Sequence, residues 1–356
     1  MKKYLYYLSI FLMVSCTCRY NKETVVEELP KDFLFEVDTL GTFEDKFLYA
    51  KEFLVYNDTI LIVLNKAHKD GYFVECYDYI NKKEVKKLIR YGNGPNEMLS
   101  ARIHLNDNEL YINDYVKSQI AIINMDSLIL QKEDYKENVL KHHAYGLPSA
   151  VICNGLFVLE NPYYFSCEQL GIEQGEHRFI TTNGDKAYEY TSSYPYNTRN
   201  VVVDGCIITN DTKKLILYAS MHNSQVELYD YEFNQLRKFN QLPSLEPNYI
   251  IKGSEDSREK EIIFNKTIPF TFLDYTTDKD YIYLVYMGDF LKGNTRMKDY
   301  PNWILKFDWD CNLIEKYYIN DYVLSVSKSN NGETFYITVP NKEEIPTLLR
   351  LKSLKS

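Results

Sequence analysis

The chain is poor in the residues that hydrolytic and metal chemistry most often use. Its 356 residues hold 6 histidines, 7 cysteines and 2 tryptophans. None of His68, His104, His142, His143, His177 and His222 falls in H-E-x-x-H or H-x-H spacing, which excludes the helix-borne zinc site of metalloproteases. No serine sits in G-x-S-x-G, so the nucleophile elbow of α/β-hydrolases is missing too. The cysteines form no C-x-x-C, which removes zinc-ribbon and thioredoxin-type motifs. Lysine-rich runs are absent, and 41 basic residues stand against 50 acidic ones. An acidic chain of this kind cannot gather the phosphate contacts that dominate nucleic-acid affinity. Helical periodicity is scarce as well. Only Asp256 to Asn265 and a short turn near Asp126 tempt a helical reading. No catalytic residue, metal ligand or cofactor is assigned from sequence.

What is present begins at the first residue. Lys2 and Lys3 precede an apolar run from Tyr4 to Val14, followed by Ser15 and Cys16. A positive end and an apolar run of this length make a signal peptide, too short for a membrane-spanning helix. The run MVSC resembles the bacterial lipobox, cut before the cysteine and alkylated with diacylglycerol on its thiol. Cys16 is therefore the expected lipid attachment site, the alternative being an ordinary secretory signal with a cysteine nearby. Two or more acyl chains anchor stably, each buried CH2 contributing about 0.8 kcal/mol. Residues 1–15 are read as leader, 16–30 as a polar tether and 31–356 as one folded unit. Arg19, Tyr20 and Asn21 follow the anchor without an acidic run. That favours an outer-membrane lipoprotein facing the periplasm, with the cell surface as the alternative.

A repeat runs through the remainder. Polar turn residues introduce β-branched and aromatic runs at Asn57, Asn106, Cys153, Asn210, Asp278 and Asn330, at intervals of 49, 47, 57, 68 and 52 residues. Propeller blades repeat on this scale. Each run has a strand-like neighbour before it and an alternating stretch after it, with turns at Tyr79-Ile80-Asn81, Met125-Asp126, Asn183-Gly184 and Asp310-Cys311-Asn312. The sequence thus predicts an all-β fold, a six-bladed β-propeller of four-stranded antiparallel blades. The last repeat offers three strands. FLFEVDTL, Phe33 to Leu40, is left over and is expected to complete that blade and close the ring.

Between the first two repeats lies IRYGNGPNEM, Ile89 to Met98. It lacks the Lys-Ser/Thr of a P-loop, and Glu97 stands where a dinucleotide fingerprint has its third glycine. Gly92 and Gly94 suit tight backbone geometry and Pro95 fixes a turn. Glu97 is placed to accept backbone N–H bonds or to pair with Arg90. Arg90, Gly92, Gly94, Pro95 and Glu97 form the candidate ring-face loop. The run RYGNGPNEML resembles the G-x-G-P-x-E segment of lipid-anchored six-bladed propellers of Bacteroides and relatives, described as TolB-like or NHL-like. That resemblance covers Ile89 to Leu99 closely, and the leader-plus-repeat layout covers nearly the whole chain. Asn93 departs from the arginine usual there. The family's molecular role is largely unassigned, so the resemblance speaks for the fold more than for the function.

Propellers place functional side chains around a central channel, and Asp204, Asp274, Glu160, His104 and Asn113 are candidates to face it. The 33 tyrosines suit half-buried strands and also suit stacking on sugar rings. The functional expectation is an envelope lipoprotein whose propeller is a ligand-binding or protein-interaction module, with carbohydrate or envelope proteins as partners. The alternative is a propeller enzyme, a lyase or lactonase, with its site in the channel. Cys76 and Cys206 lie within strand patterns and are expected as buried thiols. Cys153 with Cys167 is the pair worth testing for a disulfide.

Overall fold

The computed structural model describes residues 35–42, 50–65, 71–114, 116–130, 138–141, 150–153, 156–160, 177–182, 188–193, 205–239, 241–243, 245, 249–252, 261–264, 268–292, 295–329 and 334–353. The leader, Cys16, Cys18, Cys167 and the His142-His143 pair lie outside them. After β1 (Phe35–Thr42), one sheet follows in sequence order, made of β2 (Ala50–Tyr56), β3 (Ile60–Asn65), β4 (Tyr72–Asp78) and β5 (Lys83–Arg90). A second contains β6 (Arg102–Asn106), β7 (Glu109–Asp114), β8 (Gln119–Asn124) and β9 (Asn138–Lys141). Next come β10 (Ala150–Cys153), β11 (Leu156–Glu160), β12 (His177–Thr182) and β13 (Tyr188–Ser193). A further sheet holds β14 (Gly205–Asn210), β15 (Leu215–Ser220), β16 (Val226–Asp230) and β17 (Gln235–Phe239). A small antiparallel pair, β18 (Tyr249–Lys252) and β19 (Glu261–Phe264), is inserted before the sheet of β20 (Ile268–Thr277), β21 (Tyr281–Leu291), β22 (Asn302–Asp308) and β23 (Leu313–Ile319). The last sheet joins β24 (Ser325–Lys328), β25 (Thr334–Pro340) and β26 (Pro346–Ser353) to β1, in the order β1-β26-β25-β24. The protein is an all-β propeller with four-stranded antiparallel blades.

Strand periodicity explains how the blades stack. Successive side chains point to opposite faces, and both faces of β3 are buried along its length. Leu54, Ile62 and Leu64 pack with Ile103, Leu110 and Ile112 of the β6–β9 sheet. The alternate residues Phe53, Val55, Leu61 and Val63 pack with Tyr336 and Leu348 of the last sheet. The core is therefore a series of layers between neighbouring sheets. Similar layers join β14–β17 to β20–β23 through Leu217, Phe272 and Leu284, and β20–β23 to the last sheet through Val285, Ile304 and Ile337.

The first and last sheets are also stitched by hydroxyls. Ser327 accepts a bond from the Val55 N–H (2.8 Å), and Ser325 donates to the Phe53 carbonyl (2.8 Å). β1 docks on β26 with Val37 opposite Leu351, and Asp38 pairs with Arg350 at 2.5 Å. The leftover strand thus sits beside the final sheet. Phe35 adds its ring to those of Tyr317 and Phe335, at centroid distances of 5.4 and 6.2 Å.

Turn chemistry recurs. Asn57 and Asp58 both have positive φ, 50° and 56°, in the β2–β3 hairpin, the geometry of a type I′ turn. Asp230 and Asp308 each cap a β-hairpin by accepting two backbone N–H bonds at 2.8 and 3.0 Å. The two helical readings have different outcomes. Part of the helical reading over Asp256–Asn265 is β19, because Ile262 and Ile263 pair with Ile251 and Ile250. The short helical turn read near Asp126 is present as α1 (Met125–Ile129), in place of a hairpin at Met125-Asp126, and its N-cap Asn124 accepts the Ser127 N–H at 2.9 Å. The fourth strand of that blade comes later, as β9. Burial of Met125 and Leu128 against the first two sheets selects the helical turn over an exposed hairpin.

Candidate functional site

The first strands of the blades line the central channel, and the chain enters each from the same ring face. Near that face the channel opens into a cavity of about 230 Å³. β2 supplies Lys51 and Glu52, β6 supplies Arg102 and His104, and β20 supplies Asp274 and Tyr275. Asn113, Cys206 and Leu324 also line it. Lys51 and Arg102 are exposed, whereas Glu52, Asp274 and His104 are half-buried. The cations thus occupy the rim and the carboxyls lie deeper. His104 is two residues further along β6 than Arg102, about 7 Å deeper at the usual strand rise.

Enclosure by protein dominates the electrostatics here, although water still reaches the groups. Dehydration, reinforced by the negative charge of Glu52, pushes the Asp274 carboxyl up to about 8, against the opposing bonds from the backbone N–H groups of Val326 and Tyr275. The Val326 bond is 2.8 Å long. Dehydration also raises Glu52, opposed by Lys51, Arg102 and the Ile103 N–H. His104 is driven down to about 4 by burial, so its ring is neutral at physiological pH. That ring stacks on Tyr111, with centroids 4.7 Å apart and planes 7° apart, and meets Tyr275 at 5.8 Å. At neutral pH the cavity therefore holds a protonated carboxyl, a second carboxyl and an aromatic floor. Such a pair can donate and accept hydrogen bonds at once, or hold and release a proton.

Below this floor Thr277 donates to the Asn106 side chain at 3.0 Å, joining β20 to β6 across the channel. Beyond lies a second cavity of about 520 Å³ on the opposite face, containing Lys306, Lys328, Asp278, Tyr281 and Tyr283. Its charges are compensated. Lys328 bonds Asp278 and lies over the Tyr283 ring at 4.0 Å. Lys306 faces Glu315 at 3.5 Å and lies over Tyr281 at 4.0 Å. Burial would raise Asp278, but the Lys328 bond and the Asp280 N–H outweigh it and hold the carboxyl below its ordinary range.

The TolB-like 6-blade propeller-like family matches residues 46–331. The chain belongs to it. Among solved structures, a member of the DUF4221 family from Bacteroides vulgatus aligns with a TM-score of 0.54 and 11% identity, over 90% of this chain and 97% of that one. A luciferin-regenerating enzyme aligns with a TM-score of 0.46 and 12% identity, over 90% and 96%. No curated protein matches the chain.

In this TolB-like propeller the GNGPNE loop sits on the same ring face as the smaller cavity, since it leads into β6. Its residues bind one another. The Glu97 carboxylate accepts the Gly94 N–H at 2.8 Å, and a Cβ on Gly92 would lie 2.1 Å from the same oxygen. The Lys117 ammonium donates to the Gly94 carbonyl at 2.7 Å and also to that of Glu97. Asp114 accepts the backbone N–H groups of Leu99, Val116 and Lys117. Arg90 lies over the Tyr72 ring at 5.5 Å.

Of the five channel candidates, His104, Asp274 and Asn113 converge on the smaller cavity. Asp204 lies outside the described residues, as does the side chain of Glu160, which ends the second strand of its blade. Lys51, Glu52 and Arg102 were missed. The signal available was a charged pair, Lys51-Glu52, interrupting an otherwise apolar strand, FLYAKEFLVY. Among the described residues no group of three or more His, Cys, Asp or Glu side chains is arranged to hold a metal ion, and no helix is long and apolar enough to cross a membrane. Cys76, Cys206 and Cys311 are buried thiols.

Proposed function

We propose that the chain is an envelope lipoprotein, anchored through Cys16 and facing the periplasm, whose six-bladed ring binds a small polar ligand in the cavity beside the GNGPNE loop. One observation carries the reading. Charged and polar side chains from several inner strands meet in a partly enclosed space, at a stability cost that packing alone does not require. The opposite cavity has similar residue types, yet its charges satisfy one another.

The test is a thermal-shift panel on the full chain in detergent, covering amino acids, mono- and disaccharides and short-chain carboxylates. A component that raises Tm in the wild type, and not in Leu324→Trp, supports the cavity as the site. If the whole panel leaves Tm unmoved, the binding reading fails. The anchor is tested separately, since Cys16→Ala should move the protein from the membrane to the soluble fraction. The carboxyl pair favours a second reading, a propeller enzyme of lyase or lactonase type. That reading requires turnover of a bound component that disappears in Asp274→Asn.

A further inference from the structure

The cavity is ordered by charge along the channel axis. Exposed Lys51 and Arg102 form its rim, half-buried Glu52 and Asp274 lie below them, and the rings of His104 and Tyr275 close the floor. A neutral sugar has no use for this order. A simple anion would meet the rim cations and then be repelled by Glu52. We infer that the ligand is a small zwitterion of amino-acid size, entering with its ammonium group first, so that the ammonium sits between Glu52 and Asp274 and the carboxylate stays at the rim with Arg102 and Lys51. This rests on the binding reading above and names the ligand class for the same site. An ammonium in this position gains charge-assisted hydrogen bonds to both carboxyls. A cavity of about 230 Å³ suits a compact molecule.

The proton balance follows. Asp274 faces Glu52 from β2, the Val326 N–H from β24, Tyr322 from the segment before β24, and Tyr275 on its own strand. Glu52 in turn faces Lys51, Arg102 and the Ile103 N–H. In the empty cavity at pH 7 Asp274 holds its proton. The incoming ammonium keeps all its protons and supplies the positive charge that Asp274 lacked. The Asp274 O–H bond then breaks, its electron pair stays on the carboxylate, and the proton passes to the buffer.

Calorimetry on the full chain at pH 7 tests this with four probes: L-alanine, ethylammonium, propionate and glucose. Titrations in two buffers of different ionisation enthalpy count protons released. L-Alanine should bind tightest and release up to one proton per site. Asp274→Asn should remove the release and weaken alanine at least tenfold. Arg102→Gln should weaken alanine more than it weakens ethylammonium, and equal weakening of the two would overturn the placement of the carboxylate at the rim. The inference is overturned if propionate or glucose binds more tightly than alanine, or if the heat of alanine binding is the same in both buffers. Either result would leave the cavity a binding site for another chemistry. Failure of alanine to bind overturns the inference alone if other panel components still act through Leu324, and overturns both readings if none does.

Discussion

The two ends of the channel hold similar side chains in opposite states. At the far end, Lys328 is only 4% exposed, yet Asp278 bonds its ammonium and Tyr283 lies under it. At the loop end, enclosure and the charge of Glu52 raise Asp274, while Lys51 and Arg102 at the rim oppose only the rise of Glu52. The first cluster fastens blades, since Lys328 belongs to β24 and Asp278 follows β20. The second fastens nothing that an amide could not. Residue type alone therefore says little about function in a polar channel; what separates the ends is that Asp278 bonds an ammonium, whereas Asp274 bonds backbone N–H groups beside a second carboxyl.

Breaking the compensated end should have the largest effect. Lys328→Ala leaves Asp278 without its cation and exposes the Tyr283 face, and should lower unfolding free energy in urea by about 3 kcal/mol. Lys328→Met, which keeps the stem over Tyr283, should lose less. Equal losses from the two variants would show that the stem contributes nothing and the ammonium everything, whereas no loss in Lys328→Met would show that the ion pair contributes nothing beyond contact.

The uncompensated end responds to pH. Asp274 is raised from 3.8 to about 8, so its contribution is fully present below the unfolded value and is lost as pH rises through the folded one. His104 is lowered from 6.5 to about 4, so its contribution is present above 6.5 and lost as pH falls to 4. Between pH 4 and 6.5 the two slopes oppose each other. From 6.5 to 8 only Asp274 of this pair acts, and stability should fall by about 2 kcal/mol at one proton's slope. Glu52, also raised, adds to the loss above its ordinary range. In Asp274→Asn the fall above 6.5 should shrink by the share of Asp274, because the titrating group is gone while the amide oxygen can still accept the Val326 N–H. In His104→Gln the decline should begin near pH 4. Urea titrations across this range check both slopes, and a flat wild-type profile above 6.5 would sink the account.

The blades were legible because their signal is local. A turn of Asn, Asp or Gly followed by alternating apolar residues needs no tertiary knowledge, and the unpaired Phe33–Leu40 strand found its place by counting. The choice between hairpin and helical turn at Met125-Asp126, and the β18–β19 pair, were not legible in the sequence because each depends on what covers it. Met125 and Leu128 are buried by neighbouring sheets, and Ile262 and Ile263 need β18 opposite them. The site was legible only in part for the same reason. His104 and Asp274 stand out by type, but no pattern in the sequence brings Glu52 beside Asp274, more than half the chain away.

The GNGPNE loop offers a smaller test of the same contrast, because it resembles a binding loop yet spends its groups on itself. Lys117→Met removes bonds to the Gly94 and Glu97 carbonyls and should lower stability by about 1–2 kcal/mol. It should leave ligand binding in the cavity unchanged, whereas altered ligand affinity would make the loop part of the site. The smallest effect belongs to Lys82. This exposed residue closes the β4–β5 turn with φ of 54°, a left-handed conformation that costs a side chain but not glycine. Asp78 already accepts the Ile80 and Asn81 N–H groups at 3.1 and 2.8 Å and fixes the turn from the other side. Lys82→Gly should therefore raise the unfolding free energy by about 0.5 kcal/mol, the relief of strain exceeding the greater freedom of glycine in the unfolded chain. A loss of stability would mean that the lysine side chain makes contacts across the blade edge worth more than the strain.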